Sequence, residues 1–517
     1  MNESTPPANK LIRILRRLLI IAACVVTVIA LFYAEEDLRG KSAWNKFKHE
    51  EEAKGEKFDY TAFVPPPVPD DQNLAMTPLL RPAFDYSTGN DNTRYEGGLR
   101  WRDTNAWQHL SNMRLDLEIV GSKEKKPSAG QWEKGSLADL AQAANFYRGN
   151  TNYPQSASGN DAEVVLTALN KFEPDLKELR DAAAARPLSR FPIEYNFNPP
   201  FAILLPHLAP LKGLISVCEL RAVAELELHK TDEAFADLQL AFRLSDSMHD
   251  EPFLIDHLVR LAGLSITMQG IREGIVRQAW SDAQLAAFEK QLTSLDLLSD
   301  YEHALRAELA FHIRGLEYYR NLGLKGNPLD MLGNGPQTGG TAFNWMPDGW
   351  YDQNMLMLAK YYRDYLLPEV DETNRLVKPA VTVAMDKSLA QLHVGPYNVL
   401  AKLLLPALTK AVAHSSRTQT FVDQTRVAIA IERYRMAHNE IPDSLNALVP
   451  QFLSQIPTDL FDGQPLRYKK NGSDAYVIYS IGWNSTDDGG QIALKPGSNP
   501  NVDDYAGDWV WEIPPPK

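Results

Sequence analysis

Residues 213–244 read GLISVCELRAVAELELHKTDEAFADLQLAFRL, and this stretch decides the fold class. Leu214, Val217, Leu220, Ala224 and Leu228 fall three or four residues apart, the spacing that lines up side chains on one face of an α-helix. Residues 229–232 (HKTD) interrupt the pattern, and Ala234, Leu238, Ala241 and Leu244 then form a second stripe. Two amphipathic helices joined by so short a turn make an αα-hairpin. Outward from this hairpin the same periodicity predicts helices over 161–184, 252–278, 281–292, 298–322, 352–366 and 379–414. Ser281 or Asp282 is placed to cap the third of these. The expected architecture is mainly α. It has an N-terminal membrane helix, a helical body of αα-hairpins over 96–415, and a small C-terminal α+β domain with an antiparallel sheet over 416–517.

The phrase DEAFADLQLAFRL at 232–244 resembles the second helix of a tetratricopeptide repeat. No repetition at the period of about 34 residues follows it, so ordinary helix packing is the favoured reading. Composition bounds the function. The chain has 517 residues, 44% hydrophobic and 23% charged, which excludes disorder or a fibrous repeat for most of its length. Asp and Glu number 66 against 53 Lys and Arg, a net charge of −13. That sign argues against nucleic-acid binding, which is driven by counterion release from phosphates, and against broad docking on anionic lipid. The 2 cysteines, Cys24 in an apolar run and Cys218 in a helical stripe, exclude a disulfide scaffold and a multi-cysteine zinc site.

Residues 18–34, LLIIAACVVTVIALFYA, carry no charge. As a helix this run is about 25 Å long, slightly short of a bilayer core of about 30 Å, and Leu11, Ile12, Ile14 and Leu15 extend its apolar character. Lys10, Arg13, Arg16 and Arg17 precede it, and Glu35, Glu36 and Asp37 follow. The basic side stays in the cytoplasm, so residues 1–34 read as tail and anchor of a single-pass inner-membrane protein whose bulk is periplasmic. The rival reading is a cleaved signal peptide, with Val28, Ile29 and Ala30 as a passable cleavage site; a cut after Ala34 would place bulky Phe32 at the −3 position. Residues 35–57, with sparse Leu38, Trp44 and Phe47, read as a solvated juxtamembrane helix. Residues 64–72, VPPPVPDDQ, read as a stiff extended spacer, since proline fixes φ and removes an amide donor. Together these fill a connecting region over 35–95.

Chemistry is harder to find. The glycine-rich segment 323–350 lacks the Lys-Ser/Thr of a phosphate loop and reads as a flap over the body, anchored by Phe343, Trp345, Trp350 and Tyr351. Those aromatic rings would also suit stacking on sugar or peptide. His249 and His257 lie near Asp250, Glu251 and Asp256, but Pro252 breaks the helix needed to align a metal site. His303 and His312 face different sides of their helix, Cys218 reads as core, and neither HExxH nor GxSxG occurs. An interaction role is favoured over an enzyme. The alternative is an exported hydrolase acting on an envelope polymer through paired carboxylates under the glycine-rich segment.

From Ser416 the character changes. A helix over 418–437 ends at His438-Asn439, and a short helix follows at 445–448. Strands are expected at 466–469, 475–481 and 509–513, the first two joined at Asn471-Gly472, residues that tolerate the positive φ of a type I′ turn. The order of pieces is AIAIERY at 428–434, Ile441-Pro442, Leu445 and Leu448, and Pro457 with Asp459. After these come Phe461, Gly463, Pro465 and Tyr468, then Tyr476, Tyr479 and Gly482, then DDGG at 487–490 and DWVW at 508–511.

That order resembles the globular domain of the major (G-type) pseudopilins of type II secretion, over about 100 of 517 residues. The resemblance implies a helix on a small antiparallel sheet and a calcium-binding loop after the second long strand. WNSTDDGG at 483–490 would supply Asn484, Asp487 and Asp488, with Asp503 and Asp504 closing on it. Such oxygen donors suit calcium, and the same residues suit an ordinary acidic turn. The Gly-Phe-Thr-Leu-x-Glu peptidase site of pseudopilins does not precede Leu18, where Leu15-Arg16-Arg17 stand instead. The reading is therefore a membrane-anchored extracytoplasmic interaction or assembly protein with a pseudopilin-like module, linked to secretion. Its partners would be the membrane, through 18–34, and envelope proteins.

Overall fold

The computed structural model describes residues 8–87, 100–115, 129–322, 345–497 and 501–513. Most of the expected flap, residues 323–344 with Phe343, lies outside the described residues. In chain order the helices are α1 (Ala8–Glu52), α2 (Thr104–Ser111), α3 (Leu140–Tyr147), α4 (Asp161–Leu169), α5 (Glu173–Ala185), α6 (Leu208–Glu227) and α7 (Thr231–Asp246). Then come α8 (Leu254–Val276), α9 (Asp282–Thr293), α10 (Leu297–Leu322), α11 (Asp348–Tyr361), α12 (Pro379–Gln391), α13 (Val399–Leu404) and α14 (Ala411–His438). Three short antiparallel pairs are β1 (Tyr86–Ser87) with β2 (Arg100–Trp101), β3 (Ala129–Gln131) with β4 (Ser136–Ala138), and β5 (Val370–Asp371) with β6 (Leu376–Val377). The C-terminal strands are β7 (Arg467–Lys470), β8 (Tyr476–Ser480), β9 (Ile492–Leu494), β10 (Val502–Gly507) and β11 (Trp509–Ile513). The chain is mainly α, with small antiparallel sheets at its C-terminal end. It divides into two compact units. The first joins residues 1–60, 309–363 and 389–406, and the second joins 61–308, 364–388 and 407–517.

In the first unit α1 is unbroken from the uncharged run into the charged stretch, and its apolar residues from Ile12 to Leu31 face outward, Val26 and Leu31 each 65% exposed. It is long and apolar enough to cross a membrane. Beyond Tyr33 the helix is not the solvated one expected. Glu36, Gly40, Trp44, Phe47 and Glu51, spaced three or four apart, form a buried face, while Leu38 is 74% exposed. The stripe escapes a hydrophobic pattern because three of its five members are charged or glycine. This face lies on α11, where a Cβ on Gly40 would stand 2.1 Å from Gly349 O, and one on Gly349 2.0 Å from Glu36 O. Two glycines thus let the backbones touch, and Asp37 Oδ1 accepts the Gly349 amide at 2.9 Å to start α11. Buried Asn354 ties in α13: its Oδ1 accepts from Leu400 N (2.9 Å) and Ala401 N (3.2 Å). The single helix expected over 379–414 is instead three, interrupted at Gly395-Pro396 and again before Ala411.

In the second unit the α6–α7 hairpin is as read, closed by His229 at φ 58. Helix α8 packs on both, and buried Leu226, Leu238, Leu264, Met268 and Ile271 fill the space between them. The helix expected over 161–184 breaks at Asn170–Phe172, where Pro174 in the first turn of α5 leaves no amide for continuation. The proline run is docked rather than a free spacer: Arg190 Nε donates to Pro65 O at 2.9 Å, and Leu74 N to Leu188 O at 2.9 Å.

The C-terminal strands order β11-β8-β7, with Ile478 of β8 opposite Trp511 and Tyr468. Helix α14 covers this sheet and ends at Asn439 in the left-handed region (φ 58). Its other side meets α8 and α9, so hairpins and sheet share one core, in which Trp132 stacks on Phe421 at 4.0 Å. The β7–β8 connection is not the two-residue type I′ turn expected. It spans 471–475, closed by Asn471 N to Ala475 O at 2.7 Å, with Gly472 alone at positive φ. Strands β9 and β10 form a second small pair that the sequence reading did not anticipate.

Candidate functional site

The expected calcium loop is an ordered turn. Asn484 Nδ2 donates to Asp488 Oδ2 at 2.9 Å, and its Oδ1 accepts from Thr486 N at 3.1 Å. Asp487 Oδ1 accepts from Gly489 N at 2.9 Å, while its Oδ2 lies 3.9 Å from Arg467 Nε. Asp503 accepts the Tyr505 amide at 3.1 Å, and Asp504 is paired with Arg417, so neither closes on the loop. The residue that closes it is Asp508, whose carboxylate accepts from Asp488 N at 3.2 Å and Gly490 N at 2.5 Å. The exposed carboxylates of Asp487 and Asp488 carry the chemistry calcium needs, and backbone amides bonded to Asp487 and Asp508 hold the turn together. Among the described residues no group of three or more His, Cys, Asp and Glu side chains is arranged to hold a metal.

The other pieces of the motif are structural. Buried Asp459 accepts from Ser480 Oγ (2.9 Å), Phe461 N (3.1 Å), Ile481 N (2.9 Å) and Arg467 Nη1 (2.5 Å), tying the turn before β7 to the end of β8. Tyr468 OH donates to Pro442 O at 2.7 Å, joining β7 to the Ile441-Pro442 corner.

The arrangement with the most chemical capacity lies elsewhere in the second unit. A cavity of about 1040 Å³ is lined by Pro65, Pro66, Pro67, Arg190, Tyr195 and Phe197, among others. Behind it Tyr195 OH donates to Glu251 Oε2, and Phe191 N donates to Glu251 Oε1 at 3.2 Å. Nearby, His207 Nε2 lies 3.2 Å from Asp256 Oδ1, and the imidazole stacks on Phe191 at 4.1 Å. All three ionisable groups are buried. Burial pushes Glu251 up to about 7, helped by Asp256, and pushes Asp256 well above the carboxylate range. Burial also pulls His207 down to about 4 against the pull of Glu251. At neutral pH the site therefore holds an uncharged imidazole and a Glu251 in mid-titration, beside an Asp256 carboxyl displaced towards its protonated form. Of this group only Tyr195 lines the cavity, and its hydroxyl bonds to Glu251 behind it.

Sequence reasoning singled out His249 and His257 in this neighbourhood, and the structure separates them. His249 sits between Asp250 (2.7 Å) and Asp300 (3.1 Å), which hold its pKa up near 9. His257 Nε2 meets Ser415 Oγ at 3.0 Å inside the core. His303 packs edge-on against Phe63, and in the first unit His312 Nδ1 lies 3.3 Å from Tyr362 OH. Cys218 is wholly buried, and burial pushes its thiol far from thiolate, so it is core. His207 was missed because its partner is 49 residues away on another helix.

No protein-family model, curated protein sequence or solved structure matches this chain.

Proposed function

We propose that the protein is a single-pass membrane protein of a bacterial-type envelope, with its body on the periplasmic side, serving as an interaction or assembly module linked to secretion. The pseudopilin-like C-terminal part would be the piece that meets other envelope proteins. The observation that carries the reading is α1: its uncharged run faces outward from Leu18 to Phe32, and water is a poor solvent for such a surface. The flanking charges, basic before and acidic after, support that direction. The test is alkaline carbonate extraction of native membranes, combined with a phosphatase fused to the C-terminus. Retention in the pellet with an active phosphatase is expected. Release into the supernatant would mean a cleaved leader, and an inactive phosphatase would place the body in the cytoplasm.

Calcium at Asn484, Asp487 and Asp488 belongs to the same proposal. Replacing Asp487 and Asp488 together with Ala is expected to lower thermal stability only when calcium is present. Equal melting of parent and variant across calcium concentrations would remove the metal from the reading.

The second reading, an exported hydrolase of an envelope polymer, is favoured by one observation: a carboxyl poised near neutrality, Glu251, joined through Tyr195 to a large open cavity. Its mark would be polymer cleavage by the intact protein that disappears in Tyr195→Phe.

A further inference from the structure

The first unit carries a set of aromatic rings at one level of α1. Phe32 is 46% exposed, Trp345 is 70% exposed, and Tyr33 lies beside them at the end of the uncharged run. Tyr33 OH donates to Trp345 O, which fixes Trp345 at the height of residue 33. The ring of Phe32 meets Trp350 edge-on at 6.2 Å. Trp350 in turn is clamped from the charged side: its Nε1 donates to Glu36 Oε2 at 2.8 Å, and its ring meets Tyr397 edge-on at 5.9 Å. Arg39 completes the clamp, donating to Glu36 at 2.6 Å and to Tyr397 OH at 2.9 Å. One helical turn thus separates the aromatic rings from an ionic cluster built on buried Glu36.

We propose that Phe32, Tyr33 and Trp345 form an interfacial collar, seated at the headgroup–acyl boundary on the far side of the bilayer that α1 crosses. The proposal rests on the membrane-anchor reading. Three facts argue for lipid as the occupant. The rings continue the apolar surface of α1 without a gap. Tyr and Trp have an apolar body with a polar tip, the chemistry that the boundary favours. The uncharged run of about 25 Å falls short of a core of about 30 Å, and a ring of aromatic side chains at its end fills that difference. The adjoining charges, Glu35, Glu36 and Asp37, favour zwitterionic over anionic lipid. The first unit would therefore sit directly on the membrane surface, with no stalk between residue 34 and the fold.

The test uses the full chain in phosphatidylcholine–phosphatidylethanolamine vesicles. In a Cys24→Ala background, with Cys218 buried, a single cysteine is placed by Trp345→Cys or by Val26→Cys and labelled with an environment-sensitive nitrobenzoxadiazole. Nitroxide lipids carry the quencher either high on the acyl chain, near the headgroup, or low, near the bilayer centre. The label at 345 is expected to be quenched about twofold or more strongly by the high nitroxide than by the low one, and the label at 26 the reverse. A label at 345 that neither lipid quenches, with 26 still quenched by the low nitroxide, would overturn the collar and leave the anchor standing. Failure to quench either label would overturn the anchor itself.

Discussion

His207 and Glu251 are displaced by the same cause, burial, in opposite directions, and this gives them opposite signatures in pH. Glu251 titrates near 7 when folded, against an ordinary 4.5, so the folded chain keeps a proton that the unfolded chain releases. Its contribution is full below about pH 4.5 and is lost as pH rises towards 7. His207 titrates near 4 when folded, against an ordinary 6.5. Its contribution is full above about pH 6.5 and is lost as pH falls towards 4. Between pH 4.5 and 6.5 the two slopes oppose. Relative to the parent, Glu251→Gln should therefore move the slope of stability against pH, read in urea titrations, upward by up to about 1.4 kcal/mol per pH unit across that window. His207→Gln should move that slope downward, again relative to the parent. Parallel profiles for the two variants would show that these groups do not titrate in the folded state as described. None of this was legible in the chain. Asp256 and Glu251 were visible as neighbours, but nothing local announces that an imidazole 49 residues upstream of Asp256 joins them. The acidic turn at 483–490 was legible as composition, yet its organiser, Asp508, follows Asp488 by 20 residues and was read only as the first residue of the DWVW piece, ahead of the last strand.

At the scale of elements, most helices were readable because burial on one face imposes a period of 3.6. The exceptions follow from physics that a hydrophobic pattern does not carry. The Pro174 break and the Gly395-Pro396 interruption are backbone effects, marked by proline and passed over because the apolar spacing continued through them. Strands β9 and β10 are short and only partly buried, so they leave no alternation to see. The buried half of α1 is the clearest case, since close approach selects glycine rather than a large apolar residue. It also yields a sharp test. Gly349→Ala would put a methyl 2.0 Å from the Glu36 carbonyl, which is backbone and cannot swing aside. The expected cost is about 1–3 kcal/mol, read as faster amide exchange in residues 36–51 of α1. Gly395→Ala meets nothing within 4 Å and should leave exchange in α1 unchanged. Equal protection in both variants would mean that α1 and α11 do not cross there.

For the whole molecule, the question is whether the C-terminal helix and sheet behave as a detachable module. Sequence suggested a change of character near Ser416, and the strands lie where that change predicts. The packing ties them to the rest. Helix α14 lays one side on β8 and β11, while Arg426 pairs with Glu289 at 3.1 Å and Arg433 with Asp282 at 2.7 Å, both carboxylates on α9. Buried Phe421, Val422 and Ile429 belong to the same cluster as Leu264, Leu285 and Phe288 of the hairpins. A fragment of residues 411–517 would present that side of α14 to water. Each large apolar side chain so exposed costs roughly 1.5–3 kcal/mol, so these three together are comparable to the roughly 5–15 kcal/mol that typically holds a domain together. The fragment alone is therefore expected to lack a cooperative thermal transition and to bind a hydrophobic dye. In the full chain, near-UV signals from Trp511 in the sheet and Trp280 among the hairpins should melt together, followed as differences against Trp511→Phe and Trp280→Phe. A fragment that melts cooperatively on its own would show instead that the sheet, with one side of α14, is sufficient. The interaction reading would then gain a free-standing module, with the α9-facing side of the helix available to a partner.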